Sequence, residues 1–410
     1  MNDTPSSERL HVTIFGRRNA GKSSLVNALT RQETSLVSDI PGTTTDPVRK
    51  AMEIPGIGPC VFTDTAGFDD DAAGLGEKRT GLTLKALEKT DIALMIFSDC
   101  GPVEKEWYRG IVGKGVPTVP VISKADLEPS ATGSAAGLEA SVTALCGESP
   151  VHVSSLTGEG IDGIFRALLR RLPEDFGHRD ITGDLVKKGD AVLLVMPQDI
   201  QAPKGRLILP QVQTIRELLD KGCTVVACTA AGLADSLSAM SSLPALVITD
   251  SSVFAEVHAA IPAGTRLTSF SVLFAAYKGD LSVFMEGARA MERLGPESRV
   301  LIAEACTHAP ATEDIGRVKI PAMLRRRFGE SLVTEVVSGT DFPEDLSGYS
   351  LIIHCGACMF NRRYVLNRIA AARKQGIPIT NYGMAIAWMK GILDKVAVPG
   401  DFTPVRQECV

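Results

Sequence analysis

The first third of the chain alternates apolar runs of strand length with helical stretches. Its strand-like runs read "HVTIFG", "CVFTDTAG", "DIALMIFS" and "TVPVISK", and each ends in polar or acidic residues or in glycine. Strands of a parallel sheet covered on both faces have this nearly continuous apolar pattern. Helical stretches such as "KSSLVNALT" and "GIDGIFRALLRRL" are interleaved with them. The pattern predicts an α/β domain over residues 1–172.

The same alternation returns twice after the polar segment "PEDFGHRDITGDLVKKGD", which is typical of a linker. A second unit contains "AVLLVMP", "CTVVACTA" and "ALVITD", and its helix "LPQVQTIRELLDKG" ends in a C-cap glycine. A third unit begins with the helical stretch "SVLFAAYKGDLSVFMEGARAMERL" and continues with "RVLIAEACTH", "LVTEVVSG" and "YSLIIHCGAC". We therefore predict two smaller α/β domains with mainly parallel sheets, at residues 180–268 and 269–410.

The net charge, the apolar runs and the cysteine content limit the classes of protein that the sequence fits. The formal net charge of −5 gives no global electrostatic reason to expect nucleic-acid binding. No apolar run approaches the roughly 20 residues of a spanning helix, and the polar start "MNDTPSSERL" does not resemble a signal peptide. We expect a cytoplasmic protein without membrane contact. Its nine cysteines are then expected to be thiols, metal ligands or core residues.

A phosphate-binding loop follows the first predicted strand. The segment "GRRNAGKS", residues 16–23, matches G-x-x-x-x-G-K-[ST] and lies between a strand and a helix, the context that this motif requires. Its backbone N–H groups can bind phosphate, Lys22 can reach the β- and γ-phosphates, and the Ser23 hydroxyl can bind Mg²⁺. A chance glycine turn would lack these flanks and the motifs that follow.

Further motifs with matching chemistry occur in order along the chain. The Thr-rich segment "DIPGTTTD" is expected to close over the γ-phosphate and its metal. In "DTAG", Asp64 can hold the magnesium shell and the Gly67 N–H can reach the γ-phosphate. In "SKAD", Asp126 can accept hydrogen bonds from guanine N1–H and the 2-amino group, donors that adenine lacks, and "SSL" can contact guanine O6. The set predicts GTP and GDP as ligands.

These motifs resemble those of the TrmE–Era-type GTPases of the translation-factor class, over roughly residues 10–172. The resemblance implies that Thr44 is the switch threonine that binds magnesium and that Asn19 binds an activating K⁺. Two positions depart from the family: Ser123 replaces the usual asparagine of the base motif, and Phe68 stands where Ras-like proteins have a water-orienting glutamine. We expect weaker guanine binding from the first and slow intrinsic hydrolysis from the second.

The expected catalytic residues are Lys22, Thr44 and Gly67. The nucleotide-binding set is Gly16, Asn19, Gly21, Lys22, Ser23, Ser24, Thr44, Asp64, Gly67, Lys124, Asp126, Ser154 and Ser155, of which Ser23, Thr44 and Asp64 would bind Mg²⁺.

A second group of chemically active residues lies in the third unit. Cys306 and His308 follow the predicted strand "RVLIAEA", and His354, Cys355 and Cys358 follow or end the strand "YSLII". Ligand sites of open parallel sheets form outside the carboxyl ends of the strands, so the two segments can converge. The residues alone leave open a zinc site, a [4Fe–4S] cluster, a Cys355–Cys358 redox pair and plain core packing.

A P-loop GTPase followed by C-x-H and H-C-x-x-C resembles the HydF family of [FeFe]-hydrogenase maturation GTPases over essentially the whole chain. The resemblance implies a GTPase domain, a middle dimerisation domain and an iron–sulfur domain. It implies a [4Fe–4S] cluster held by Cys306, Cys355 and Cys358. The candidates for its fourth position are His308, His354, Asp199 and water.

The same resemblance implies a homodimeric scaffold or carrier for the diiron subcluster precursor of [FeFe]-hydrogenase. Such a protein works with two radical-SAM maturases and delivers to the apo-hydrogenase. The alternative is a GTPase associated with RNA or the ribosome that carries a structural zinc. A thiol-redox regulator, which needs only Cys355 and Cys358, is a third hypothesis.

Overall fold

The chain divides between Phe176 and Gly177 into two units, inside the segment predicted to be a linker. The computed structural model describes residues 4–30, 48–68, 83–127, 135–173, 176–177, 179–198, 207–305, 314–339 and 341–400. None of the helices within these ranges combines the length and the apolarity needed to cross a membrane.

The first unit contains one six-stranded sheet. Its described strands are β1 (Leu10–Gly16), β2 (Val48–Ile54), β3 (Gly58–Asp64), β4 (Ile92–Ile96), β5 (Thr118–Ser123) and β6 (Val151–Val153). They lie in the order β2-β3-β1-β4-β5-β6, and every pairing is parallel except that of β2 with β3. The longer helices are α1 (Lys22–Thr30), α2 (Pro102–Gly113), α3 (Ala135–Cys146) and α4 (Ile161–Arg170).

Burial follows the apolar pattern of these strands. Every residue of β1 and β4 is buried, which agrees with central strands covered on both faces. The antiparallel edge strand β2 was not predicted, because its sequence "VRKAMEI" alternates exposed and buried positions and carries two basic residues. An edge strand with one face in solvent gives this weaker signal.

The second unit contains two four-stranded sheets. The described strands are β7 (Ala191–Val195), β8 (Thr224–Cys228), β9 (Leu246–Thr249), β10 (Leu267–Ser269), β11 (Arg299–Glu304), β12 (Val333–Ser338), β13 (Leu351–His354) and β14 (Ile379–Asn381). The orders are β10-β9-β7-β8 and β12-β11-β13-β14, with all pairings parallel. The predicted fold class, a P-loop domain followed by further α/β domains with mainly parallel sheets, is confirmed.

The helices of this unit are α5 (Leu209–Asp220), α6 (Leu233–Ala239), α7 (Phe254–Ala260), α8 (Phe270–Lys278), α9 (Leu281–Arg289), α10 (Ile320–Phe328), α11 (Arg362–Lys374) and α12 (Tyr382–Met389). A π-helical turn, Ile315–Lys319, leads into α10. One apolar core joins the two sheets, since Leu193 of β7 and Leu301 of β11 belong to the same buried cluster.

The helical stretch predicted after residue 270 is broken into α8 and α9 at Gly279. A Cβ at this position would overlap the ring of Phe284. The next residue, Asp280, begins α9 by accepting a hydrogen bond from the Val283 N–H at 3.1 Å. An aspartate N-cap satisfies a helix donor that would otherwise have no partner. The break therefore follows from a steric contact and a local cap.

Candidate nucleotide and metal sites

The phosphate-binding loop connects the end of β1 to the start of α1. Asn19 and Gly21 have φ angles of 60° and 92°, and these left-handed conformations turn the chain sharply. The buried ammonium of Lys22 donates to the carbonyls of Gly16 at 3.1 Å and Arg17 at 2.6 Å. The loop thus surrounds the Lys22 ammonium at the start of a helix, where free backbone N–H groups bind anions.

Ser23 and Asp64 meet beside this loop. Ser23 Oγ donates to Asp64 Oδ2 at 2.5 Å, and Asp64 Oδ1 is buried with no hydrogen-bond partner among the described residues. Burial raises the pKa of Asp64, whereas the Ser23 hydrogen bond and the charges of Lys22 and Lys50 lower it. A buried carboxylate oxygen without a donor beside a serine hydroxyl fits Mg²⁺, which prefers oxygen ligands.

Lys50 on β2 is a basic residue near this site that the sequence did not single out. Its side chain is buried, and its Nζ donates to Asn27 Oδ1 at 2.5 Å. Burial lowers the pKa of Lys50, and the charge of Asp64 raises it. Lys50 therefore adds positive charge near the Asp64 carboxylate.

Gly67 passes very close to the P-loop. A Cβ on Gly67 would lie 2.5 Å from the Arg18 backbone nitrogen and 2.9 Å from its Cα. Both contacts are with backbone, so only glycine fits without a shift of the loop. The next residue, Phe68, stacks on Trp107 of α2 with ring centroids 5.1 Å apart. Where Ras-like proteins have a glutamine, this chain thus has an aromatic ring that is buried in the core.

A second contact joins the P-loop to α2. Arg17 Nη2 donates to Glu104 Oε2 at 2.9 Å, and Arg17 Nε lies 2.6 Å from Glu104 Oε1. The Glu104 side chain is fully buried and that of Arg17 is 29% exposed. One charge-assisted hydrogen bond and a second close charge contact join the pair, and such hydrogen bonds are stronger than neutral ones. Glu104 thereby anchors the loop, although nothing in the sequence linked it to the motif.

The base-recognition segments lie together at the ends of β5 and β6. Asp126 Oδ1 accepts a hydrogen bond from the buried Ser154 hydroxyl at 2.5 Å. The Ser123 hydroxyl donates to the carbonyl of Ala20 at 2.5 Å, and so ties the base motif to the P-loop. Lys124 has a φ of 61°, a strained conformation for a residue with a side chain. The remaining predicted residue of this group, Ser155, is half-buried and follows directly.

Cys355 lies at the carboxyl end of β13, next to β11. Its Sγ accepts a hydrogen bond from the Ala305 N–H at 3.0 Å and one from the Ala357 N–H at 3.4 Å. Ala357 has a φ of 48°, so the turn of the C-x-x-C segment is left-handed at a non-glycine residue. Backbone donors aimed at sulfur stabilise the thiolate, which is the form that binds metals. Cys358 is half-buried in the same turn.

His354 is fully buried behind Cys355, and both of its ring nitrogens are engaged. Nε2 lies 3.0 Å from Arg368 Nη1, and Nδ1 lies 2.6 Å from the Cys355 carbonyl oxygen. Since arginine only donates, Nε2 accepts and Nδ1 carries the proton. Burial and the charge of Arg368 lower the pKa of His354 to about 3. Ligation of a metal through Nε2 would therefore break the hydrogen bond from Arg368.

Arg368 on α11 is a buried cation that the sequence analysis did not single out. Its Nη2 donates to the Gly339 carbonyl at 2.6 Å and to the Tyr364 hydroxyl. The guanidinium carbon lies 4.4 Å from the Tyr364 ring centroid and 4.8 Å from that of Phe342. Arginine is almost never buried without such partners.

Four predicted site residues lie outside the described residues: Thr44, Asp199, Cys306 and His308. Within the described part of the chain, no group of three or more His, Cys, Asp or Glu side chains is arranged to hold a metal ion. The iron–sulfur ligand set and the magnesium threonine therefore stay predictions.

Three family models match consecutive parts of the chain. Residues 11–124 match a model described as 50S ribosome-binding GTPase. Residues 181–279 match the hydrogen maturase F dimerization domain, and residues 282–399 match the hydrogen maturase F tetramerization domain. The chain belongs to the hydrogen maturase F family. In this hydrogen maturase F chain, the P-loop domain is a GTPase domain of the TrmE type, and the two following domains are those that the family uses for oligomerisation.

Curated relatives share the GTPase part of this hydrogen maturase F chain. The tRNA modification GTPase MnmE of Cupriavidus metallidurans is 38% identical over 178 residues, 40% of this chain and 37% of that protein. MnmE of Symbiobacterium thermophilum is 36% identical over 160 residues, 38% of this chain and 34% of that protein. The chain thus spans about a third of the length of these relatives.

Solved structures of other GTPases are more distant. Era in complex with MgGDPNP and a segment of 16S ribosomal RNA is 21% identical, with a TM-score of 0.38, over 54% of this chain and 92% of that one. A probable GTP-binding protein, engB, is 15% identical, with a TM-score of 0.33, over 39% of this chain and 97% of that one.

Proposed function

We propose that the protein is a GTP-hydrolysing scaffold or carrier that assembles and delivers the diiron subcluster precursor of [FeFe]-hydrogenase. The observation that carries the proposal is the pair of backbone N–H groups directed at Cys355 Sγ, at the carboxyl ends of β11 and β13. In a chain of the hydrogen maturase F family, this sulfur is well suited to ligate a [4Fe–4S] cluster.

In the GTPase domain, Lys22 would bind the β- and γ-phosphates, and the Gly67 N–H would bind the γ-phosphate. The buried Oδ1 of Asp64, the Ser23 hydroxyl and Thr44 would hold Mg²⁺, whose charge offsets that of the phosphates. Asn19 would hold a stimulating K⁺. Because Phe68 packs on Trp107 and has no polar group to orient water, intrinsic hydrolysis would be slow.

Guanine would be bound by Asp126, whose carboxylate accepts from N1–H and the 2-amino group. Ser154 holds this carboxylate with a 2.5 Å hydrogen bond, and Lys124 and Ser155 complete the set. Adenine offers no matching donor pair, so the site would select GTP over ATP. Gly16, Gly21 and Ser24 would contribute to phosphate binding around the helix start.

In the third domain, Cys306, Cys355 and Cys358 would ligate three irons of the cluster. The candidates for the fourth, exchangeable position are His308, His354, Asp199 and water. His354 would have to give up its hydrogen bond with Arg368 to serve as this ligand. The protein would act as a homodimer with two radical-SAM maturases and the apo-hydrogenase, and GTP would bias these contacts through the switch segments.

The deciding experiment is metal analysis and EPR of anaerobically reconstituted full-length protein. We expect about four irons per chain, as in a [4Fe–4S] cluster. Cys355→Ala and Cys358→Ala should each remove the cluster and leave GTP turnover intact, whereas Cys223→Ala should change neither. A colourless native protein with one zinc would refute the iron–sulfur function.

A second candidate is a GTPase associated with the ribosome, because the first domain matches a model described as 50S ribosome-binding GTPase. This function predicts RNA binding that weakens with salt. Sedimentation with ribosomal particles at two salt concentrations, with and without GTP, separates the two candidates.

A further inference from the structure

Lys50 is a buried cation on the edge strand β2. Its side chain is only 4% exposed, although the residues on either side of it, Arg49 and Ala51, are exposed. Lysine is almost never this deeply buried unless it has partners, because its charge is costly to remove from water. The surroundings of Lys50 therefore show what its charge acts on.

The register of the sheet places Lys50 on the same face as Asp64. In the antiparallel pairing of β2 with β3, Val48 lies opposite Asp64 and Lys50 lies opposite Phe62. Directly opposed residues share a face of the sheet, and so do alternate residues of one strand. Lys50 and Asp64 are thus diagonal neighbours, a separation of roughly 7–8 Å that a long side chain can cross.

Helix α1 contacts both residues. Ser23 Oγ donates to Asp64 Oδ2 at 2.5 Å, and Asn27 Oδ1 accepts from Lys50 Nζ at 2.5 Å. Ser23 and Asn27 are four residues apart, so they share one face of the helix and are separated by about 6 Å along its axis. The Lys50 ammonium is therefore held one helical turn beyond Ser23, on the side away from the P-loop.

The charges of Lys50 and Asp64 interact. Burial lowers the pKa of Lys50, and the charge of Asp64 opposes this effect. Burial raises the pKa of Asp64, and the Ser23 hydrogen bond and the charges of Lys22 and Lys50 oppose that effect. The electrostatics thus agree with the register: Lys50 is a positive charge directed at the carboxylate that fits Mg²⁺.

The position of Lys50 separates its effect from that of Lys22. Phosphates bind at the start of α1, where Lys22 lies, whereas Lys50 is held deeper along the helix. A Mg²⁺ ion at Asp64 would share this carboxylate with a fixed positive charge. Like charges repel more strongly in a buried site than in water, so Lys50 opposes binding of the metal.

We propose that Lys50 weakens the binding of Mg²⁺ at Asp64 and thereby speeds the release of GDP. Lys50 is a positioning residue, because it acts through the Asp64 carboxylate and not on the nucleotide. Since Mg²⁺ binds both protein carboxylates and nucleotide phosphates, a weaker metal site holds GDP less firmly. The inference rests on the proposed Mg²⁺ site of Ser23 and Asp64.

The test is Lys50→Met in the full chain, which removes the charge and keeps an unbranched side chain. The matched control is Arg49→Met, which removes a cation from the adjacent, exposed position of β2. Release of a fluorescent GDP is measured over a series of free Mg²⁺ concentrations. Lys50→Met should move the midpoint of the Mg²⁺ dependence to about tenfold lower Mg²⁺, because a nearby like charge is lost. It should leave release in excess EDTA unchanged, and Arg49→Met should match the native protein in both conditions.

A second variant separates the charge of Lys50 from its shape. Asn27→Asp keeps the size of the side chain and places an anion against the Lys50 ammonium, so it should also strengthen metal binding. If Lys50→Met does not fold, Asn27→Asp decides. EPR titration of the GDP complex with Mn²⁺, in place of Mg²⁺, measures the metal affinity directly. Unchanged or weaker metal binding in these variants overturns the role of Lys50 and leaves the metal site standing. Release of GDP from the native protein that is independent of Mg²⁺ overturns the proposed metal site, and the inference with it.

Discussion

The contact between Arg17 and Glu104 supports a prediction about the P-loop. Glu104 is fully buried on α2, and Arg17 meets both of its carboxylate oxygens, at 2.6 and 2.9 Å. Removal of one partner from a buried pair costs about 3–5 kcal/mol, because the other charge stays buried. Since the Arg17 side chain is 29% exposed, water screens part of the interaction, and about 2–3 kcal/mol is expected for Arg17→Met.

A double-mutant cycle isolates this interaction. Glu104→Gln leaves a partly exposed arginine without its partner and should cost only about 1 kcal/mol. The double variant should be more stable than Arg17→Met alone, because it no longer buries an unpaired carboxylate. We expect a coupling free energy of about 1.5–2 kcal/mol, within the range for residues in contact.

Tryptophan fluorescence provides the assay. The chain has two tryptophans, Trp107 and Trp388. In a Trp388→Phe background, Trp107 reports on α2, the helix that carries Glu104. With a urea slope of about 2 kcal/mol/M, Arg17→Met should lower the unfolding midpoint by about 1 M. Strictly additive single effects would refute the anchoring role that the geometry gives to this pair.

Three further predictions concern single residues. Gly67→Ala should abolish most GTP turnover, because its Cβ would lie 2.5 Å from the Arg18 backbone nitrogen. The control Gly110→Ala has open space around it and should leave GTP turnover unchanged. Turnover assays compare the two variants. Ser123→Ala should weaken GDP binding about fivefold, because it removes the hydrogen bond to the Ala20 carbonyl. The control Ser141→Ala changes an exposed serine and should leave GDP binding unchanged. Titration with a fluorescent nucleotide measures both affinities. Burial raises the pKa of Cys60 to about 12, so the folded protein should resist alkylation of Cys60 at pH 8.5. The stability that this thiol contributes should fall as the pH rises from about 9 towards 12, and Cys60→Ala should reduce that loss in alkaline urea titrations.

The sequence predicted the parts of this fold that depend on local pattern. Buried parallel strands such as β1 and β4 are continuous apolar runs, so the local sequence pattern is enough to predict them. The P-loop was recognisable because its glycines and Lys22 have fixed spacing between a strand and a helix. Strand β2 was not predicted, because an edge strand exposes every second residue. The sequence alone does not distinguish its buried Lys50 from a surface lysine.

Contacts between distant segments could not be predicted from one sequence. Arg17 and Glu104 are 87 residues apart, and neither the loop nor α2 carries a pattern that points to the other. In the cysteine site, the convergence of β11 and β13 was predictable from parallel topology, and Ala303 indeed pairs with His354. The hydrogen bond between His354 and Arg368 could not be predicted, because it depends on which face of α11 is buried.

Two contacts connect α2 to the phosphate site. Glu104 and Trp107 are three residues apart on one helix, and therefore face the same side. One holds the P-loop through Arg17, and the other stacks on the residue that directly follows Gly67. Gly67 would shift when its N–H gains or loses a γ-phosphate, and this shift would move Phe68 against Trp107. Arg17 would meanwhile hold the Glu104 end of the same helical turn. In the proposed scaffold, the core phenylalanine at position 68 would slow hydrolysis, because it cannot orient water, and would connect α2 to the phosphate site.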